Sequence, residues 1–213
     1  DVIVENDALS ALLGATGHKP GVLLISGTGS IAFAYDGMET FQRSGGFGHL
    51  LGDEGSGYWI GIQAIQQVLK MHDGRGPETI LSEKILKTLN LTNHEELHNW
   101  IYSPNFSVDK VASLSKDVDE AAQEGDKVAK AILEDATEEL FQLVMSVAKK
   151  AKILGKPYTL LLLGGILQNI DRVKKDLVQK IKKASPEAEI CFNQQAPIHL
   201  IIQRGIYQLK NQG

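Results

Sequence analysis

A single cysteine, Cys191, stands in 213 residues, so no disulfide can close within the chain and no cluster held by cysteines alone can be built. That scarcity suits a reducing compartment, and the sequence as read shows no signal-peptide pattern, so a cytoplasmic location is expected. Basic charge is scarce as well: 22 lysines and arginines face 26 acids, giving a net charge of −4 and a pI near 5.9. Nucleic acid and anionic membrane surfaces both require a basic face, and neither is expected as a partner. Lys149, Lys150, Lys152, Lys174, Lys175, Lys182 and Lys183 read as solvated helix faces. Long apolar runs are missing too. The run over residues 160–163 ends in a glycine pair, and none in the chain approaches the roughly 20 residues that span a bilayer. No internal repeat of fixed period occurs.

Glycine, by contrast, is plentiful. Six glycines crowd into Gly45-Gly46-Phe47-Gly48-His49-Leu50-Leu51-Gly52-Asp53-Glu54-Gly55-Ser56-Gly57, just before an amphipathic helix. An ordinary loop needs one or two for positive φ, so six imply that the backbone must come close to a ligand. Asp53 is placed to cap the helix, with Ser56 three residues on, and exposed N–H groups at such a start attract anions or hydroxyls. Cap and ligand-binding acid are both open readings of Asp53.

The chain opens on a strand pattern, Val2-Ile3-Val4, that ends in Glu5-Asn6-Asp7 before a helix-prone stretch over 8–13. An acid at the carboxyl end of a strand is where α/β folds place chemistry, and a helix cap is the plain alternative. Residues 21–25 form a continuous apolar run suited to a central strand, broken by Ser26-Gly27-Thr28-Gly29-Ser30 before extended character resumes over 31–35. Asp36-Gly37 predicts a two-residue hairpin turn into 38–43. The Ser-Gly-Thr-Gly-Ser turn offers N–H groups and hydroxyls that can cradle phosphate. It lacks the Gly-Lys-Ser/Thr ending of a Walker loop and leads into a strand, not a helix.

Tyr58, Ile62, Ile65 and Leu69 recur at helical spacing, which predicts a helix packed on a sheet. Residues 78–125 read as an all-helical insertion interrupted by Pro104. Within it, His94-Glu95-Glu96-Leu97-His98 matches the H-E-x-x-H pattern of zinc peptidases. The helix is short and its surroundings polar, which argues against a metal there. Asp126 is the expected cap of the longest helix, striped by Val128, Ile132, Leu140, Leu143, Val147 and Ala151 and stopped at Gly155-Lys156-Pro157. A buried strand over 158–163 then runs into Gly164-Gly165, followed by Asn169 and a helix through Val173, Leu177, Val178 and Ile181. Bare backbone at a strand end is a ligand edge in α/β proteins. A last strand over 188–192 and a helix opened by Pro197, with Ile198, Ile201, Ile202, Ile206 and Leu209, close the chain.

Taken together, Glu5-Asn6-Asp7, the Ser26 to Ser30 turn, Gly46-Phe47-Gly48-His49-Leu50-Leu51-Gly52-Asp53-Glu54-Gly55-Ser56 and Leu162-Leu163-Gly164-Gly165 resemble the N-acetylglucosamine kinase group of the BadF/BadG/BcrA/BcrD ATPase family. That family is part of the sugar kinase, actin and heat-shock chaperone superfamily, and the likeness runs over nearly the whole chain. It implies an α/β, actin-like ATPase fold of ribonuclease H-like type. Residues 1–20 would be the end of the first lobe and residues 21–213 the second lobe, with the helical insertion at about 78–125. It also implies ATP-dependent phosphorylation of N-acetylglucosamine or a related amino sugar, with Mg2+ helping to neutralise the phosphates. By the same resemblance Asp7 is the general base and touches the sugar, while Gly46, Phe47, Gly48 and Asp53 line the sugar pocket. Thr28, Gly125, Gly165 and Asn169 border ATP, with Gly165 letting the purine approach. No metal ligand set belongs to the chain itself, and a homodimer is left open.

The chain departs from the family in two ways. Members begin with an Asp-Gly-Gly-Gly-Thr type phosphate loop ahead of the catalytic acid, and this sequence starts after that point, so turnover by these residues alone is not expected. The stretch Pro197-Ile198-His199-Leu200-Ile201 stands where small residues are usual. One rival reading is the family's ATPase activators of reductases and dehydratases, which hold an iron–sulfur cluster through cysteines; the single cysteine argues against it. Another is a non-catalytic fragment that binds sugar or nucleotide.

Overall fold

The computed structural model describes residues 7–192 and, beyond them, 199, 202 and 204–206. The strand expected at Val2-Ile3-Val4, Glu5 and Asn6, and the positions Pro197, Ile198, Ile201 and Leu209 of the expected last helix, lie outside the described residues.

The apolar runs place the sheet. β1 (Gly21–Ser26) and β4 (Tyr158–Leu163) are almost wholly buried and pair in parallel at its centre, as strands covered on both faces do. β2 (Ser30–Tyr35) returns antiparallel to β1, β3 (Phe41–Gly45) antiparallel to β2, and β5 (Ala188–Phe192) runs parallel to β4. The order among the described residues is β3-β2-β1-β4-β5. Because neighbouring residues in a strand point to opposite faces, β1 divides its side chains. Leu23 packs with Leu161, Leu163 and Tyr35 beneath α1 (Asp7–Thr16). Val22 and Leu24 join the larger core on the other face, under α2 (Gly57–His72), α7 (Lys127–Lys150) and α9 (Asp171–Ala184).

Between α2 and α7 come α3 (Leu81–Leu89), α4 (His94–Ile101), α5 (Val108–Ser113) and α6 (Ser115–Gln123). Their fully buried Ile85, Leu97, Val111, Leu114 and Val118 belong to the same core as the sheet face, so these helices share its apolar interior. α8 (Gly165–Asn169) is a short turn of helix between β4 and α9. Among the described residues no helix is long and apolar enough to cross a membrane.

Four local expectations are corrected. The link from β2 to β3 is not a two-residue turn: Asp36 accepts from the N–H groups of Met38 and Thr40 at 2.8 and 3.0 Å, its own N–H donates to the Thr40 carbonyl, and β3 starts only at Phe41. A carboxylate that captures nearby N–H groups stabilises this wider loop. On α2 the buried stripe runs through Tyr58, Ile60, Gly61, Ala64, Ile65 and Val68, leaving Ile62 and Leu69 half-buried, since Gly61 must lie against the backbone of Val111 on α5. On α7 the core takes Val144, while Leu143 leans over Gly45 of β3. The helix stops at Lys150, before the Gly155 expected to end it, because Lys152 adopts a left-handed φ of 56°.

Candidate functional site

The carboxyl ends of β1 and β4 lie side by side, Ile25 opposite Leu163, and each strand leaves the sheet through glycine. β1 turns at Gly27-Thr28-Gly29, where the Gly27 N–H donates to the Gly29 carbonyl at 2.9 Å and Ser26 pairs with Ser30 across the hairpin. β4 exits through Gly164 at φ 103°, where a Cβ would meet the Ser26 carbonyl oxygen at 2.2 Å. Only glycine allows that crossing. Gly165 is different: a Cβ there would have only the Asn169 amide at 3.7 Å, ordinary contact distance. Packing of the chain does not demand this second glycine.

The glycine-rich loop folds onto the hairpin. The Ser26 hydroxyl donates to the Gly55 carbonyl at 2.9 Å and the Ser30 hydroxyl to the Glu54 carbonyl at 2.7 Å, and both serines are buried. The N–H groups of Gly57 and Tyr58 donate to the carbonyls of Gly27 and Thr28 at 2.8 and 3.3 Å. Two expectations are thereby corrected. The serine hydroxyls of the turn fasten the loop and are not available as phosphate donors. The first N–H groups of α2 are engaged by the hairpin, so this helix start is not an open anion site. Nor is Asp53 the cap: Ser56 caps α2, accepting from the Trp59 N–H at 3.1 Å. Asp53, at φ 61°, turns its carboxylate to the hairpin tip, where Oδ2 stands 2.8 Å from the place a Gly29 Cβ would occupy.

Of the residues expected around the sugar, Gly46 is fixed by the fold, since a Cβ would meet Ile31 Cδ1 at 2.3 Å. Gly48, at φ 84°, has open space. Phe47 is 61% exposed, with the Arg43 guanidinium 5.2 Å from its ring centre. His49 meets the Tyr58 ring edge-on at 5.0 Å, and burial raises the Tyr58 hydroxyl above its usual pKa. Asp7 is the first residue of α1, and its side chain lies outside what is described.

Thr28, Gly165 and Asn169 line one cleft of about 400 Å³, together with Ile166, Ile170, Asp109 and Lys116, a volume in the range of small-ligand sites. Gly125, at the turn before α7 with φ 101°, is not among its lining residues. Asn169 is oriented by donating to the Gly165 carbonyl at 2.8 Å. The Thr28 hydroxyl donates to Asp109 Oδ1 at 3.3 Å. The cleft is thus lined by bare backbone at Gly165, the apolar Ile166 and Ile170 and the hydroxyl of Thr28, a mixed lining that suits a small ligand with apolar and polar parts. Sequence reasoning missed Asp109 and Lys116, because nothing local ties α5 and α6 to a hairpin some eighty residues upstream.

The H-E-x-x-H residues go elsewhere. The His94 ring stacks on His72 at 4.3 Å and pairs with the Ser82 hydroxyl at 2.8 Å, and burial followed by the His72 charge lowers its pKa. His98 faces Asn99 and Tyr102.

Helices on both faces of a mixed sheet, with a glycine-flanked hairpin and a strand-end glycine pair bordering one cleft, define the fold of the sugar kinases of actin-like ATPase type. In that class, a solved structure from Chromobacterium violaceum described as a candidate N-acetylglucosamine kinase matches with a TM-score of 0.74 at 25% identity, over 93% of this chain and 64% of that one. The chain belongs to the BadF/BadG/BcrA/BcrD ATPase family, whose profile matches residues 1–199. It is 41% identical over 189 residues to the N-acetylmuramic acid/N-acetylglucosamine kinase of Clostridium acetobutylicum, covering 89% of this chain and 62% of that protein. It is 40% identical over 190 residues to the N-acetyl-D-glucosamine kinase of Dictyostelium discoideum, covering 88% of this chain and 60% of that one. The chain thus spans about six tenths of the length of these curated relatives.

Proposed function

We propose that this chain carries most of the catalytic apparatus of an ATP-dependent kinase of N-acetylglucosamine or a closely related amino sugar. The observation that carries the reading is the tie between the two loops. The serines that flank the Gly27-Thr28-Gly29 tip hold the carbonyls of Glu54 and Gly55, which brings Asp53 against Gly29. A loop suited to sugar hydroxyls and a hairpin suited to phosphate are thereby one rigid unit. Phosphoryl transfer depends on such positioning far more than on covalent catalysis.

In this reading Asp7 takes the proton from the sugar hydroxyl as its oxygen bonds to the γ-phosphorus, and the bond to the β–γ bridging oxygen breaks to release ADP. Asp53 holds the acceptor sugar through its hydroxyls, beside Gly46, Phe47 and Gly48. Thr28 donates to phosphate, while Gly165 and Asn169 border the purine and Gly125 the nucleotide's outer edge. Bound Mg2+ would supply neutralisation of the phosphate charge, and Asp109, the carboxylate in the cleft lining, with Thr28 beside it, is suited to face it. The cytoplasm is the expected site of action, and a homodimer is compatible with the reading.

A coupled assay of the full-length protein on N-acetylglucosamine, N-acetylmuramic acid, glucosamine and glucose tests the assignment. The N-acetylated sugars should give the highest kcat/KM. Clear preference for glucose, or for an acceptor that is not a sugar, would overturn it. Asp7→Asn should lower kcat about a hundredfold or more, the usual worth of a general base, with sugar binding little changed.

A further inference from the structure

Asp109 and Thr28 come together from α5 and the β1–β2 hairpin, 81 residues apart in sequence, on the wall of the nucleotide cleft. Thr28 has a single hydroxyl proton, and it points at the Asp109 carboxylate. No lysine or arginine among the described residues lies within ion-pair distance of Asp109, although Lys116 lines the same cleft. The Asp109 carboxylate therefore stands beside the hydroxyl that the proposed kinase reading gives to a phosphate.

A phosphate oxygen and the Asp109 carboxylate cannot both accept the one Thr28 proton, and two anions held close together repel each other. A divalent cation reverses that sign. Mg2+ is bound by one or two carboxylates together with substrate phosphates, keeping several of its waters, so the same carboxylate that repels a bare polyphosphate attracts one that carries the ion. We propose that Asp109 is a specificity-determining residue of the cleft: it holds the Thr28 hydroxyl and discriminates against nucleotide that arrives without a divalent cation. The proposal rests on the nucleotide reading of the cleft and adds to it a role for the helical wall, whose α5 carries the discriminating charge.

The test is binding, not turnover. The full chain is titrated with ADP to tens of millimolar, once with Mg2+ and once with chelator, while the backbone amide resonances of Gly27, Thr28 and Gly165 are followed. Wild type should bind the magnesium complex about tenfold more tightly than free ADP. Asp109→Asn keeps an acceptor for Thr28 and removes the charge; at an exposed position it should fold normally. It should tighten metal-free ADP about tenfold and erase most of the magnesium advantage. Metal-free affinity that is unchanged or weaker in Asp109→Asn overturns the proposal while leaving the nucleotide reading intact. If no cleft resonance moves with ADP in either protein under either condition, the nucleotide reading itself is overturned, and the role of Asp109 with it.

Discussion

The knot between the β1–β2 hairpin and loop 46–56, and the junction where α3 and α7 begin, are both tied by short polar side chains, but they use those side chains differently. At the junction Asp126 accepts from the Ala129 N–H at 2.8 Å, the Ile80 N–H at 2.9 Å and the Thr79 hydroxyl at 2.8 Å. One carboxylate starts one helix and braces the approach to another, and its oxygens are occupied by the fold. In the knot the serine hydroxyls turn inward to hold loop carbonyls. The acids nearby, Asp53 and Asp109, have no cation within ion-pair distance among the described residues. Where every polar group is satisfied by the chain, the result is a joint. Where the scaffold is satisfied and an acid such as Asp109 stands without a cation partner on a cleft wall, the result is a candidate site.

The sharpest way to break this comparison lies at the adjacent glycines where β4 leaves the sheet beside the knot. Gly164→Ala should cost at least about 3 kcal/mol, because a Cβ would strike the Ser26 backbone in a conformation that side chains resist. Gly165→Ala has room and should stay within about 0.5 kcal/mol of wild type while weakening ADP about tenfold. Thermal melts and ADP titration separate the two. Equal destabilisation would mean that Gly165 also serves the fold, and unchanged ADP affinity would remove it from the site.

At the junction Asp126→Ala should cost about 2 kcal/mol, the upper end for loss of a helix cap. Burial opposes ionisation of Asp126, but the N–H groups of Ala129 and Ile80 and the Thr79 hydroxyl outweigh it and hold its pKa below the usual carboxylate value. For a group depressed in the folded state, the stabilisation is present above the unfolded pKa of about 3.9 and is lost as pH falls through the folded one. The difference between wild type and Asp126→Ala in denaturant melts should therefore be full at pH 7 and shrink below about pH 4. A gap that stays constant down to pH 2 would show that the charge contributes nothing.

The smallest effect is expected at the histidine pair. A His94→Ala, His98→Ala double variant removes one half-buried hydrogen bond to Ser82 and should lose about 1 kcal/mol, with the activity proposed for the full-length protein retained. Stoichiometric zinc in the wild type that disappears in the double variant would restore the peptidase reading of this helix.

Much of this architecture is legible locally. Four apolar residues ending in Gly164-Gly165 read as a buried strand that stops at bare backbone, and Asp126 declares itself as a cap because capping is a relation over three residues. The likeness to the family was legible for the same reason, since its motifs are short and contiguous. The partners of Ser26 and Ser30 were not: they lie 29 and 24 residues away, and a hydroxyl donates to a phosphate oxygen or to a carbonyl equally well until packing decides. By sequence the candidate cap is Asp53. The structure chose Ser56 because the carbonyls of Gly27 and Thr28 take the N–H groups of Gly57 and Tyr58, which sets the helix start there and turns Asp53 toward Gly29. Composition and contiguous pattern determined which elements form and which glycines matter. Which donor meets which acceptor across the sheet edge was decided only when distant segments were brought into contact, because hydrogen bonds of near-equal strength are ranked by geometry that no local stretch of sequence contains.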